Sequence, residues 1–132
     1  MIFMMYITLT GISGRVMRDL LANRVRTIEI RSPQNFLAMI EAKPGDRLFL
    51  TEASSQDIVA GTNGLITSIM GIEIITHRTV QSGEDFYEER EAMAARAQLH
   101  LEAVGRVRRP GTIVIGESLK IDVDEVRYCN AR

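Results

Sequence analysis

The stretch 26-RTIEIRS-32 decides how this chain is read. Ile28 and Ile30 alternate with Thr27, Glu29 and Arg31, and a period of two sends alternate side chains to opposite faces of a β-strand. One face is apolar. The other carries a hydroxyl, a carboxylate and a guanidinium. Two readings fit that polar face: the wall of a binding site, or a strand surface braced by an ion pair between Glu29 and Arg31.

The segments on either side fall into place around this strand. Residues 4–10 predict a first strand, and Thr10 or Ser13 can cap a helix whose apolar stripe is Ile12, Val16, Met17, Leu20 and Leu21. Asn23 suits that helix's C-terminal end. Ser32-Pro33 predicts a second helix, with Ser as cap, Pro in the first turn and Phe36, Leu37 and Ile40 as its buried face. Lys43-Pro44-Gly45-Asp46 is a turn, because Pro presets its first corner and Gly accepts a positive φ at the second. It launches a mostly buried strand, RLFLT. A polar loop over 52–61 closes at Gly61. TNGLITSIM and IEIITHRTV then predict two strands joined at Met70-Gly71.

The second half is read with a helix. Ser82 to Asp85 fits a capping box, and Glu84, Asp85, Glu88, Glu89 and Glu91 put acid at a helix start, where it complements the dipole. The prediction is helix to about Ala97, then strand to Arg109. TIVIG and LKIDVDEVRYC supply the last strands. The fold class expected is α+β: a small twisted β-barrel with short helices packed at its ends.

Composition narrows the function classes. A chain of 132 residues predicts a single domain over 1–132, and 45% hydrophobic with 25% charged residues is an ordinary globular balance. A net charge of −1 predicts no nucleic-acid or membrane partner from global charge alone. The basic residues are nevertheless 14 Arg against 2 Lys. Arg grips phosphate or carboxylate with a planar fork, although a genomic base-composition bias produces the same count. The lone Cys129 forms no internal disulfide, has no neighbouring His or cation-rich setting and reads as an inert thiol. The apolar start MIFMMYITLT is too short for a spanning helix, so the protein is expected in the cytoplasm.

Catalytic and metal motifs are not found. His77 and His100 have no partner at metal-ligand spacing, and no GxSxG elbow, P-loop or GxGxxG occurs. Neither a cofactor nor a metal is expected. Two basic groups remain. Arg24, Arg26 and Arg31 flank Thr27 and Glu29. Arg106, Arg108 and Arg109 sit in GRVRRP, where no acid lies between Ala103 and Gly116. Clustered Arg is the footprint of phosphate binding, and also of a charged, aggregation-resistant strand edge. With no Trp, three Tyr and four Phe, the chain offers few stacking platforms for a long single strand.

The helix followed by R-T-I-E-I-R, then K-P-G-D-R-L-F-L, Ile58-Val59-Ala60-Gly61 and G-L-I-T-S-I, resembles the ASCH domains of the PUA-like superfamily over about residues 9–69. The whole chain resembles a small archaeal family of uncharacterised proteins through L-T-G-I-S, R-T-I-E-I-R-S-P, F-L-T-E-A-S, E-E-R-E and G-R-V-R-R. The resemblance implies a PUA-like pseudobarrel, a fold used widely for RNA, with Arg26, Thr27, Glu29 and Arg31 bordering a cleft for RNA or a nucleotide. Some ASCH relatives are amidohydrolases for acylated cytidine that use a Lys, a Thr and a Glu. Here Arg26 stands at the Lys position and Glu29 where those enzymes have Thr, and an Arg cannot serve as a base. Glu52, just after a buried strand, is the remaining acid.

The leading expectation is therefore an RNA- or nucleotide-binding domain. Its site residues are Arg26, Thr27, Glu29, Arg31 and Glu52, with Arg106, Arg108 and Arg109 on the backbone. A modified-nucleoside amidohydrolase requires Glu52 and Glu29 to converge. A protein-interaction or assembly module is the third reading, in which edge strands pair between chains, as in a homo-oligomer, or the apolar start MIFMM covers a partner.

Overall fold

The computed structural model describes residues 5–111 and 116–128. The start at 1–4, the stretch 112–115 and Cys129 lie outside the described residues. Within them the order is β1 (Met5–Leu9), α1 (Gly14–Asn23), β2 (Val25–Ile30), α2 (Pro33–Glu41), β3 (Arg47–Leu50), β4 (Asn63–Ser82), β5 (Tyr87–Arg109) and β6 (Lys120–Tyr128). The fold is α+β. The six strands form one sheet in the order β2-β5-β4-β3-β1-β6, and a further pairing of β5 with β6 closes β5, β4, β3, β1 and β6 into a ring.

The first half forms as its local signals direct. Ser13, rather than Thr10, caps α1, its hydroxyl accepting from the Val16 N–H at 3.2 Å. Thr10 is engaged elsewhere: its N–H donates to Asn35 Oδ1 (2.9 Å) and its carbonyl accepts from Asn35 Nδ2 (2.8 Å), which ties α2 to the end of β1. Ser32 caps α2 with Pro33 in the first turn. Gly45 takes the positive φ, 94°, that the turn before β3 requires.

α1 ends at Asn23, and the left-handed residue that caps it is Arg24 (φ 65°), whose N–H donates to Leu20 O. Several expectations are corrected. The buried face of α2 is Asn35, Ala38 and Met39, whereas Ile40 is exposed and Phe36 and Leu37 are half-buried. The two strands expected around Met70-Gly71 are one strand, β4, with Met70 as the extra residue of a bulge between Ile69 and Gly71.

The largest correction concerns 82–97. The expected acidic helix is the first half of β5. Residues 75–82 are rich in β-branched side chains, and they pair with β5 residue by residue from Ser82↔Tyr87 to Ile75↔Ala94. The continuous ladder outweighs the local helix signal of the Glu run, because propensity is a weak prior against tertiary pairing.

The core has two parts on opposite faces of β3. Leu48 and Leu50 point to the helices, with Met17, Leu20, Ile28, Ile30 and Met39. Phe49 points into the ring, with Tyr6, Ile66, Val107, Ile121 and Val123. Its aromatic ring lies over two glycines that face each other across the ladder, Gly64 and Gly105. A Cβ on Gly64 would run into Leu50 O and stand 2.5 Å from Phe49 Cζ. One on Gly105 would stand 2.8 Å from Val123 Cγ1 and 3.1 Å from Phe49 Cε1. Opposite Ile66 and Thr67 the ladder skips Glu102 of β5, and opposite Val104 and Gly105 it skips Val126 of β6, so two bulges shift the register here. Beyond this point β5 leaves β2, which it pairs along Ala95–His100, and joins β6 along Ala103–Arg109.

Phe49→Ala is expected to destabilise the fold by about 3–5 kcal/mol, and Gly105→Ala by about 1–3 kcal/mol through overpacking. Urea unfolding measures both. Wild-type midpoints in either variant would show that the ring does not depend on this contact.

Candidate functional site

The loop after β3 is laced to the loop before α1. The Gly11 N–H donates to Ala53 O (2.9 Å) and the Ile12 N–H to Thr51 O (3.0 Å), while Thr51 Oγ1 donates to Asn63 O (3.1 Å). Glu52, between the two bonded residues, is thereby pinned against the first turn of α1. Its carboxylate occupies the place a Cβ on Gly14 would need. A negative group there complements the helix dipole.

Glu52 lines a cleft of about 450 Å³ between α1 and the starts and ends of β4, β5 and β6. Met17, Leu21, Leu65, Val104 and Val126 give it apolar walls, and Glu52, Asn63 and Arg127 give it polar groups. Asn63 is held by its ladder partner Arg106, whose Nε donates to Asn63 Oδ1 at 3.4 Å, leaving the Asn63 NH₂ free to donate. Among the described residues neither Glu52 nor Arg127 has a hydrogen bond or ion pair. Arg18 Nη1 reaches the same spot beside Gly14, so a cation stands near Glu52 without forming a direct ion pair. Charges of opposite sign outside any direct ion pair, at an apolar cleft, suit a polar ligand with an apolar body.

Glu29 and Arg31 border a second cleft of about 300 Å³, between the first turns of α1 and α2 and the open edge of β2. They form an ion pair at 3.3 Å, with Arg31 72% exposed. Across the ladder Glu29 faces Arg96, which faces Glu73 at 3.9 Å, so the polar side of RTIEIRS continues as a charged row over three strands. Thr27 is exposed beside it, opposite Gln98. Arg26 lies on the other side of β2, with Ile28 and Ile30, and is tied to Asp19 of α1. It is a brace between helix and strand, and the fold does not bring it to Thr27, Glu29 and Arg31.

The basic groups do not merge. Arg106 is seven residues along β5 from Leu99, the partner of Arg26, or roughly 23 Å of strand. Arg108 pairs with Asp124 at 4.0 Å, and Arg109 lies opposite Asp122. Glu52 and Glu29 line different clefts, with the first turn of α1 between them, so the acid pair needed for an amidohydrolase does not converge. Asn63 and Arg127 were not singled out from sequence, since only the ladder brings them to Glu52. Among the described residues no group of three or more potential metal ligands occurs, and no helix is long and apolar enough to cross a membrane.

A polar network closes the outward face of the sheet beside β3. Ser68 Oγ donates to Glu102 Oε1 (2.8 Å), and His100 Nδ1 lies 3.2 Å from the same oxygen. Arg47 donates to Glu125 (3.1 Å), as does Tyr6 (3.5 Å). Burial pushes the Tyr6 hydroxyl above its ordinary pKa, against the opposing hydrogen bond with Arg47. For Glu102, burial pushes upward, but the bond from Ser68 and the bond and charge of His100 outweigh it, and the carboxyl titrates below its ordinary range.

The chain belongs to an established family: the model described as "Protein of unknown function (DUF473)" matches residues 4–121. It is similar to "Uncharacterized protein MJ0105" of Methanocaldococcus jannaschii, at 26% identity over 93 residues, 70% of this chain. The match covers 58% of that relative's length. No solved structure matches.

A depressed carboxyl stabilises the fold above its unfolded pKa, and that contribution is lost as pH falls through the folded pKa. Glu102→Gln is therefore expected to be less stable than wild type at neutral pH, with the gap narrowing below the ordinary Glu range. Urea midpoints followed down the acid limb measure it. A gap that stays constant would contradict the role given to Glu102.

Proposed function

We propose that this member of the family binds a nucleotide or RNA, with a base entering the cleft of Glu52, Asn63 and Arg127. The observation that carries this reading is the two opposite charges, Glu52 and Arg127, outside any direct ion pair on an otherwise apolar cleft. The aliphatic walls suit the faces of a planar base. Glu52 is an acceptor for an exocyclic amine, the free NH₂ of Asn63 is a donor for a ring nitrogen or carbonyl, and Arg127 is a fork for phosphate. Arg106 holds Asn63 and adds positive charge at the mouth. The ASCH-like resemblance over about residues 9–69 supports the same ligand class, and a ring of strands with both helices against one part of the core is in keeping with the PUA-like pseudobarrel it implies.

In this reading Glu29, Arg31 and Thr27 form a separate polar surface within reach of a longer RNA, and Arg108 and Arg109 border the opposite end. The exposed guanidinium of Arg31 offers a phosphate contact beyond its bond to Glu29.

Fluorescence anisotropy with labelled mononucleotides and short RNAs tests the proposal. Glu52→Gln and Arg127→Ala are each expected to weaken binding by about 1.5–3 kcal/mol, roughly ten- to a hundredfold. The Arg127→Ala variant should also lose part of the salt dependence. Absence of binding to every nucleotide and RNA at low salt would overturn the reading.

A further inference from the structure

The β4–β5 ladder does not stop where the sheet stops. On the β5 side β2 pairs only Ala95–His100, and on the β4 side β3 pairs only Leu65–Ser68. The Pro44–Asp46 turn adds backbone bonds at Ile69 alone. Past these points 75–82 and 87–94 run on as a two-stranded arm of roughly 26 Å, hydrogen-bonded to nothing but itself among the described residues. A ribbon of two strands is marginal in water, and three or more strands with an apolar face are needed for independent stability.

The arm's core-side face is mixed, with exposed apolar side chains among polar and charged ones. Residues opposite each other in the ladder share a side, and Ile28↔Ala97 and Ile30↔Ala95 identify the side that faces the core. Following that side outward gives Ile72, Ile74, Met93, Val80 and Tyr87, interspersed with Thr76, Arg78, Ser82, Glu89 and Glu91. Ile74, Val80, Met93 and Tyr87 are 45–66% exposed. The core face of the sheet continues into solvent without a helix to cover it.

The two open edges differ in charge. The β5 edge carries Glu88, Glu89, Arg90 and Glu91. Around a two-fold axis perpendicular to the sheet, residues that meet must share a side, so any register centred on one of these four sets a like charge against itself. This edge is protected against self-pairing. The β4 edge from Met70 to Ser82 carries only Glu73 and Arg78 as full charges. Centred on Thr76, an antiparallel pairing spans that whole edge. It sets Thr76 against Thr76, Ile72 against Val80, Ile74 against Arg78 and Glu73 against Thr79, with no like charges opposed. Cross-strand Thr–Thr and aliphatic pairs are favourable.

We propose that two copies of this chain dimerise through the open β4 edges of their arms, in a register centred on Thr76, to make a continuous four-stranded antiparallel ribbon. A two-fold pairing of this kind uses the same edge on both chains and leaves the charged β5 edges outermost. The proposal stands independently of the ligand assigned to the Glu52 cleft.

Sedimentation equilibrium on the whole chain tests it, with far-UV circular dichroism as the check on folding. Wild type is expected at twice the chain mass. Thr76→Lys and Thr76→Glu, which place like charges on the axis, are each expected to weaken the dimer at least tenfold with an unchanged spectrum. Mixing the two variants is expected to restore a dimer, since Lys then faces Glu. That rescue separates pairing at residue 76 from general destabilisation. A monomeric wild type at every concentration, or variants that dimerise like wild type, would overturn the proposal, as would a mixture of the two that stays monomeric.

Discussion

The ring of strands depends on one aromatic side chain and two missing ones. Phe49, fully buried, fills the space over Gly64 and Gly105, which face each other across the β4–β5 ladder. A side chain on either glycine would occupy volume that the Phe49 ring, Val123 or the β3 backbone already holds. Interiors are packed closely enough that such a conflict is felt as strain. Because β3 is buried on both faces, the same strand anchors the helices through Leu48 and Leu50 and the ring through Phe49. Its position fixes where the following loop begins.

That loop is how the packing reaches the candidate site. Thr51 and Ala53 accept the N–H groups of Ile12 and Gly11, and Thr51 donates to Asn63, so the end of β3, the entry to α1 and the start of β4 are held as one unit. Glu52 sits against Gly14, and Asn63 is steadied by Arg106 one strand away. A site built on strand ends has its backbone positioned by the ladder. The apolar walls come from α1 on one side and from Leu65, Val104 and Val126 on the other.

The first fifty residues were legible because their signals are local. Ser13 and Ser32 cap, Pro33 opens a helix, Gly45 turns, and RTIEIRS alternates as a strand should. The acidic run after Ser82 misled because five acids within eight residues resemble a helix start, while their strand state is set by pairing with β4. The polar face of RTIEIRS was legible as a pattern but not as a role. Arg96 and Glu73, which extend it into a charged row, are distant in sequence. Arg26 is close to Glu29 along the chain, yet strand parity turns it toward Asp19. Glu52 was legible only as an acid after a buried strand. Its partners in the cleft, Asn63 and Arg127, carry no motif, and only the closure of β6 onto β5 brings Arg127 there.

The most direct test of the account is where a ligand's contacts fall. Backbone amide chemical shifts, followed by nuclear magnetic resonance during titration with a mononucleotide or short RNA, locate them without any substitution. The largest changes are expected at Glu52, Gly64, Leu65, Val104 and Arg127, with weaker ones at Arg31 for the longer RNA. Changes confined to Thr27–Arg31 or to the β4–β5 arm, with the Glu52 cleft silent, would contradict it.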